Sequence, residues 1–145
     1  MAYDFQVVVD CASPHALADW RAGTLGWTVE EQDQAFIQQM IADGYATLDD
    51  TTTHAGKLVW ADGAAIRHPD GPGNGPRRRL LFQRVPESKT IKNRLHLDVF
   101  VGAESVRAEA DRLIGRGASY LHDGRQGPHP WITLADPEGN DFCVS

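Results

Sequence analysis

The chain has 145 residues, of which 41% are hydrophobic and 23% charged, which is typical of one globular domain with a sizeable core. Its formal net charge of −6, from 14 basic and 20 acidic residues, argues against a general nucleic-acid binder, since such proteins carry a basic surface. No apolar run approaches the roughly 20 residues that cross a bilayer, no secretory signal is evident, and two cysteines make no disulfide framework. We therefore expect a cytoplasmic domain without a membrane or nucleic-acid partner.

The first half of the chain alternates strand and helix signals. Residues 5–11 have the period of a strand, which places Gln6 and Asp10 on one face and the larger apolar residues on the other. Ser13 and Pro14 are typical of a helix start and Gly26 of a helix end. The same signals predict the remaining elements of this half: a strand at 27–30, a helix at 33–43, and strands at 57–60, 64–66 and 80–85.

A loop and a basic run separate the last two of these strands. Residues 68–76 are rich in proline and glycine, which predicts a loop. Three arginines follow, Arg77, Arg78 and Arg79. Consecutive basic residues usually form a solvated surface, and binding of an anionic substrate group is the alternative.

The stretch 92–101 carries the clearest alternation in the second half. Its apolar residues share one face of a strand: Leu95, Leu97, Val99 and Val101. The opposite face carries an imidazole, a carboxylate and an aromatic ring: His96, Asp98 and Phe100. These polar groups either line a binding site or face water.

The rest of the second half repeats the plan of the first. We expect a helix at 104–116 with a buried stripe, a short strand at 119–121, a loop at 122–130, a strand at 131–135, a turn at 136–140 and a strand at 141–144. The stripe comprises Val106, Ala110, Leu113 and Ile114. Two strand–helix–three-strand (βαβββ) modules, about 4–86 and about 92–145, therefore predict an α+β fold in which curved half-sheets form a cup with the helices outside.

This repeat resembles the vicinal oxygen chelate superfamily, which includes glyoxalases, bleomycin-resistance proteins and extradiol dioxygenases. The resemblance rests on three phrases: residues 81–87 (LFQRVPE), residues 92–98 (KNRLHLD) and residues 136–144 (DPEGNDFCV). They are similar to the uncharacterised glyoxalase-like branch of the superfamily and imply a single glyoxalase-like domain over residues 1–145. Residues 33–76 match the superfamily least.

The resemblance implies four inward positions that hold a divalent metal in metal-using members. Those positions correspond to Gln6, Gln83, His96 and Cys143, whereas the family pattern has glutamates where Gln83 and Cys143 stand. Two amides, one imidazole and one thiol are a weak set for a hard cation. We therefore predict a degenerate site without a resident metal; if an ion is present, these four residues would hold zinc, nickel or iron.

His96 is the candidate catalytic residue, as a general acid or base, and a satisfied structural histidine is the alternative. Candidate substrate contacts are the polar residues predicted to share its cup: Gln6, Asp10, Gln83, Asp98 and Cys143. Burial of Cys143 as an inert thiol is the alternative for that residue.

Three functions fit the sequence. The first is an enzyme of lyase or isomerase type that uses His96 on a small molecule. The second is a metal-free ligand-binding protein, similar to the antibiotic-sequestering bleomycin-resistance proteins. The third is a module that binds another protein, and a homodimer is compatible with all three.

Overall fold

The computed structural model describes residues 1–70 and 78–145. Internal contacts divide the chain into two compact units, Met1–Glu87 and Ser88–Ser145. The elements of the first unit, in chain order, are β1 (Val7–Cys11), α1 (Pro14–Leu25), β2 (Thr28–Val29), α2 (Gln34–Ala42), a short 3₁₀ helix (Leu48–Asp50), β3 (Thr51–His54), β4 (Lys57–Trp60), β5 (Gly63–Arg67) and β6 (Arg79–Arg84). Those of the second unit are β7 (Leu97–Val99), α3 (Val106–Gly115), β8 (Ser119–Gln126), β9 (His129–Ala135) and β10 (Asp141–Val144).

The two units share one sheet topology, which confirms the predicted α+β repeat. The first sheet has the order β1-β6-β5-β2, and the second has the order β7-β10-β9-β8. In each, the first strand lies parallel to the last, and the remaining pairs are antiparallel. The helix α2 and the hairpin β3–β4 are additions to this plan, and they fall within the region that matched the superfamily least.

Helix α1 shows why the local predictions succeed. It begins at Pro14, whose missing N–H costs nothing in the first turn, and it ends at Gly26, which adopts φ 68°. Leu17 and Ala18 of this helix are buried, as are Ile66 of β5 and Phe82 of β6. Each large apolar side chain buried in this way stabilises the fold by about 1.5–3 kcal/mol.

Helix α3 covers the second sheet in the same manner. Val106, Ala110 and Leu113 are buried, as predicted, together with Phe142 of β10. Ile114, the fourth predicted member of the stripe, is instead 37% exposed. None of the described helices combines the length and apolar character needed to cross a lipid bilayer.

The structure corrects the prediction of a loop at 122–130. Those residues belong to a long hairpin, because β8 extends to Gln126 and β9 begins at His129. The strand β3 was also not predicted. Of the arginine run, Arg77 and most of the predicted loop lie outside the described residues, and Arg78 is exposed.

Arg79 departs from the prediction of a solvated run. It is half-buried in β6 and donates two hydrogen bonds of 2.8 Å to the carboxylate of Glu30. Arg67 donates to the same carboxylate, also at 2.8 Å. The run therefore contributes an ion-pair network to the first unit.

Candidate functional site

The second sheet places its polar residues in one row across four strands. Cys143 of β10 is the register partner of Asp98 on β7 and of Thr133 on β9, and Thr133 pairs with His122 on β8. Side chains at register partners project to the same face of a sheet. The predicted alternation of residues 92–101 is confirmed only over the short strand β7, where Asp98 shares its face with the neighbouring strands. His96 lies just before the strand, and Leu95, which was predicted on the packed apolar face, is 87% exposed.

This face borders a cavity of about 580 Å³ within the second unit. That volume lies in the range of small-molecule sites. The lining includes His96, Asp98, Cys143, Asp141 and Trp131.

His96 and Asp98 form the titratable pair of this pocket. The Nε2 atom of His96 lies 3.4 Å from Oδ1 of Asp98, within ion-pair distance. Both side chains remain accessible, at 41% and 54% exposure. A carboxylate this close can orient an imidazole, and the exposed ring can meet a ligand.

Cys143 is buried at the centre of the row, with its Sγ atom 3.4 Å from the hydroxyl oxygen of Thr133. Burial raises the pKa of the Cys143 thiol; the hydrogen bond with Thr133 opposes that shift, and the Asp98 carboxylate reinforces it. The thiol is therefore held in its protonated form. As a hydrogen-bonding group it suits a ligand contact better than a nucleophile.

Asp141 is a member of the pocket that the sequence analysis did not select. Its side chain is 6% exposed, and one carboxylate oxygen pairs with the ammonium group of Lys92. Burial acts to raise the pKa of Asp141, but the hydrogen bond from Lys92 and the charges of Lys92 and His96 outweigh it, so the pKa lies below its usual range. Because Asp141 lies two residues before Cys143, strand alternation would have placed it on the same face.

The residues before β7 are tied to the start of β10. Lys92 pairs with Asp141, and the Asn93 amide donates to the side-chain oxygen of Asn140 at 2.8 Å. Asn140 belongs to the predicted turn, where Oδ1 of Asp136 accepts hydrogen bonds from two backbone N–H groups, at 2.9 and 3.0 Å. These contacts fix the chain that leads into His96.

Aromatic groups lie beside the polar row, two residues along the chain from Asp98 and from Thr133. Phe100 is 85% exposed, and Trp131 lies half-buried in β9 beside its register partner Gly124. A Cβ atom placed on Gly124 would lie 2.1 Å from the Trp131 ring. The missing side chain of Gly124 therefore provides the space in which the indole lies.

The predicted residues of the first unit lie on one face of β1 and β6. Asp10 and Gln83 are register partners and are exposed. Gln6 lies near the other end of β1, where Arg79 donates a hydrogen bond to its amide oxygen. Gln6 lies four residues before Asp10, the register partner of Gln83, which corresponds to about 13 Å along an extended strand. This separation does not favour one ion held by both amides.

In the second unit, three potential metal ligands converge. The ligand atoms of His96, Asp98 and Cys143 all lie within 4.8 Å of one another. Asp98 was predicted as a substrate contact, so its place in this group is new.

Comparisons with solved structures show the same fold at low sequence identity. A glyoxalase/bleomycin resistance protein/dioxygenase family enzyme from Burkholderia phytofirmans aligns with a TM-score of 0.60 at 14% identity, over 96% of this chain and 94% of its own. The fosfomycin resistance protein FosX from Mesorhizobium loti aligns with a TM-score of 0.63 at 8% identity, over 99% and 90%. FosX from Listeria monocytogenes, in complex with Mn(II) and 1S,2S-dihydroxypropylphosphonic acid, aligns with a TM-score of 0.62 at 8% identity, over 99% and 91%.

A sequence comparison with functionally curated proteins gives no match. The sequence pattern of the glyoxalase-like domain family, in contrast, matches residues 6–145. That match includes both βαβββ modules and all the candidate site residues. The chain therefore belongs to the glyoxalase-like domain family.

Proposed function

We propose that this protein is a small-molecule enzyme whose second unit binds the substrate and uses His96 as its general acid or base. The observation that carries the proposal is the His96–Asp98 pair, 3.4 Å apart, on the wall of a 580 Å³ cavity. A catalytic acid or base needs access to the substrate and a group that orients it, and His96 has both.

The neighbouring side chains would orient His96 and position the substrate in the proposed reaction. Asp98 would hold the imidazole in one tautomer and stabilise it when it accepts a proton. Thr133 and the protonated Cys143 would offer neutral hydrogen bonds that position the substrate. Asp10 and Gln83 are exposed register partners in the first unit, and their role as substrate contacts, like that of Gln6, stays a prediction.

The fold neighbours support a small-molecule role. They include fosfomycin resistance proteins, one of them in complex with Mn(II) and a small phosphonic acid. Proteins that share this fold catalyse many different reactions. These neighbours therefore support the binding of a small molecule, and the reaction has to be inferred from the residues of this chain.

A metabolite screen followed by a conversion assay tests the proposal. Compounds that raise the melting temperature of the wild-type protein are incubated with it and followed by NMR. We expect at least one to be converted, and His96→Gln to slow that conversion by roughly 100-fold or more, the usual contribution of an acid–base group.

His54→Gln is the matched control for this assay. His54 also pairs with a carboxylate, at 2.7 Å from Asp19, but it belongs to the first unit and does not line the pocket of His96. Its replacement should leave conversion unchanged. Ligands that bind at this pocket without any conversion would contradict the enzyme and favour the sequestering function.

A metal-dependent form of the same site is the second candidate, supported by the convergence of three ligand atoms. An imidazole, a carboxylate and a thiol are all ligands of zinc, so the residues fit that ion. His96, Asp98 and Cys143 would hold it, and the ion would supply a Lewis acid for a substrate oxygen.

The raised pKa of the Cys143 thiol gives this candidate a test that needs no substrate. A thiol must lose its proton to bind an ion, so zinc uptake should release a proton and become tighter as the pH rises. Calorimetry in buffers of different ionisation enthalpy measures that release. Stoichiometric zinc that His96→Ala abolishes would support the metal-dependent form, whereas no uptake by the wild-type protein would exclude it.

A further inference from the structure

We infer that the pocket of the second unit selects flat, neutral or cationic ligands whose polar end donates hydrogen bonds, and that it rejects anions. This inference rests on the proposed function in one respect, that the same pocket is the ligand site. It adds the chemical class of the ligand, which follows from the charges and the surfaces of the lining.

The first argument is a buried acceptor without a donor. Oδ1 of Asp141 is inaccessible to water and has no hydrogen-bond partner among the described residues, while the other oxygen pairs with Lys92. A buried acceptor in this state has lost its hydration without compensation. Asp141 lines the pocket, so a rotation of its side chain would expose this oxygen to a hydrogen-bond donor on a ligand.

The second argument is the balance of charges around the pocket. Asp98 adds a second carboxylate, which is 54% exposed to an incoming ligand. Lys92 is the one lysine or arginine in the described lining, and its ammonium is already paired with Asp141. Three histidines also line the pocket, His96, His122 and His129, and His96 lies beside the Asp98 carboxylate. An anionic ligand would therefore meet two carboxylates, a lysine that is already paired and three imidazoles, whereas an amidine, amine or phenol would meet two carboxylate acceptors.

The third argument concerns the aromatic groups beside the polar row. Trp131 lies in the space left by Gly124, and the exposed ring of Phe100 also lines the pocket. Flat aromatic surfaces favour flat ligands, and they bind cations in addition. The polar row and the aromatic groups together select a planar body with a donating head group.

Benzamidine and benzoate form the test pair, because they have nearly the same shape and opposite charge. Binding of each to the intact protein is measured by calorimetry at pH 8, where free histidine is uncharged. We expect benzamidine to bind at least about tenfold more tightly than benzoate, as one charge-assisted hydrogen bond would give. Equal affinities, tighter benzoate, or no binding of either at millimolar concentration would overturn the inference.

Two variants and one control test whether the pocket carboxylates cause the preference for benzamidine over benzoate. Asp141→Asn should bring the two affinities together, and so should Asp98→Asn, whose exposed position makes it the safer variant for folding. Asp123→Asn is the control, since Asp123 pairs with Arg107 in the same unit and does not line this pocket. A preference for benzamidine that survives both pocket variants would overturn the inference.

The outcomes separate this inference from the proposed function. Selective binding of benzamidine without any His96-dependent conversion would support the ligand class and contradict the enzyme. Conversion of an anionic substrate that depends on His96 would support the enzyme and contradict the ligand class.

Discussion

Gly124→Ala is the substitution that tests the architecture of the pocket most sharply. The new methyl carbon would lie 2.1 Å from Cε2 of Trp131 and 2.4 Å from its Nε1, whereas ordinary contact begins at about 3.4 Å. The indole must therefore move by about 1 Å or more, since such an overlap cannot persist. Gly124 does not have a positive φ, so the backbone itself accepts alanine.

The size of the effect follows from this overlap. Overpacking of this kind costs about 1–3 kcal/mol, and the lower end applies if the indole can rotate. In a protein of this length, the melting temperature should then fall by roughly 3–10 °C. The displaced ring should also weaken the binding of benzamidine.

Differential scanning calorimetry and the fluorescence of Trp131 measure these outcomes, with Trp131→Phe used to isolate its emission among four tryptophans. Gly115→Ala is the matched control, because no atom lies within 4 Å of the added carbon and the residue ends a helix. That control should be neutral or stabilise the protein by up to about 1 kcal/mol. If Gly124→Ala matched Gly115→Ala in stability and in Trp131 emission, the packing of the indole against Gly124 would be contradicted.

Three further predictions concern the groups that support the two units. The hydrogen bond from Arg79 is the largest influence that holds the pKa of Glu30 in the folded protein below 4.5, its usual value. The stabilisation of the fold by the ionised carboxylate is therefore complete above pH 4.5, and it is lost as the pH falls through the lower pKa of the folded protein. Glu30→Gln should lower the free energy of unfolding by about 1–3 kcal/mol at neutral pH and by less near about pH 3, as measured by urea titration; an equal loss at both would contradict this. Asp136→Ala leaves two backbone N–H groups without their acceptor and should cost about 1–3 kcal/mol in thermal unfolding, and an unchanged melting temperature would refute that role. Burial and then the Asp98 carboxylate raise the pKa of the Cys143 thiol, so Asp98→Asn should speed alkylation of that thiol by iodoacetamide at fixed pH, whereas an unchanged rate would show that the carboxylate has no influence.

The sequence predicted the strand β10 to its observed limits, and the reason is local. Its start follows a turn in which Gly139 adopts φ 88° and Asp136 caps the backbone, and both are properties of single residues. The helix start at Pro14 succeeded for the same reason. Such signals depend on a few neighbouring atoms and can be read without the tertiary structure.

Only the first three residues of the strand β8 were predicted, at 119–121, because its residues lack a buried face. All but Gly124 are exposed, so the sequence offers no apolar alternation, and pairing with β9 supplies the strand instead. Glycine and proline at its hairpin turn then favoured a loop.

The candidate site was predictable in part. Alternation placed His96 and Asp98 on one face, but the pairing of Asp98 with Cys143 depends on the register of two strands 45 residues apart, which a single sequence does not reveal. The burial of Asp141 and its contact with Lys92 are likewise tertiary events. The sequence therefore supplied the chemical groups, and the structure supplied their arrangement.

Conversion of a pocket ligand by the wild-type protein and by His96→Gln, with His54→Gln as the control, tests the central claim most directly. We expect the wild type and the control to convert the ligand at equal rates, and His96→Gln to be slower by roughly 100-fold or more. A ligand that all three proteins convert equally would show that His96 is not the acid–base group of this enzyme.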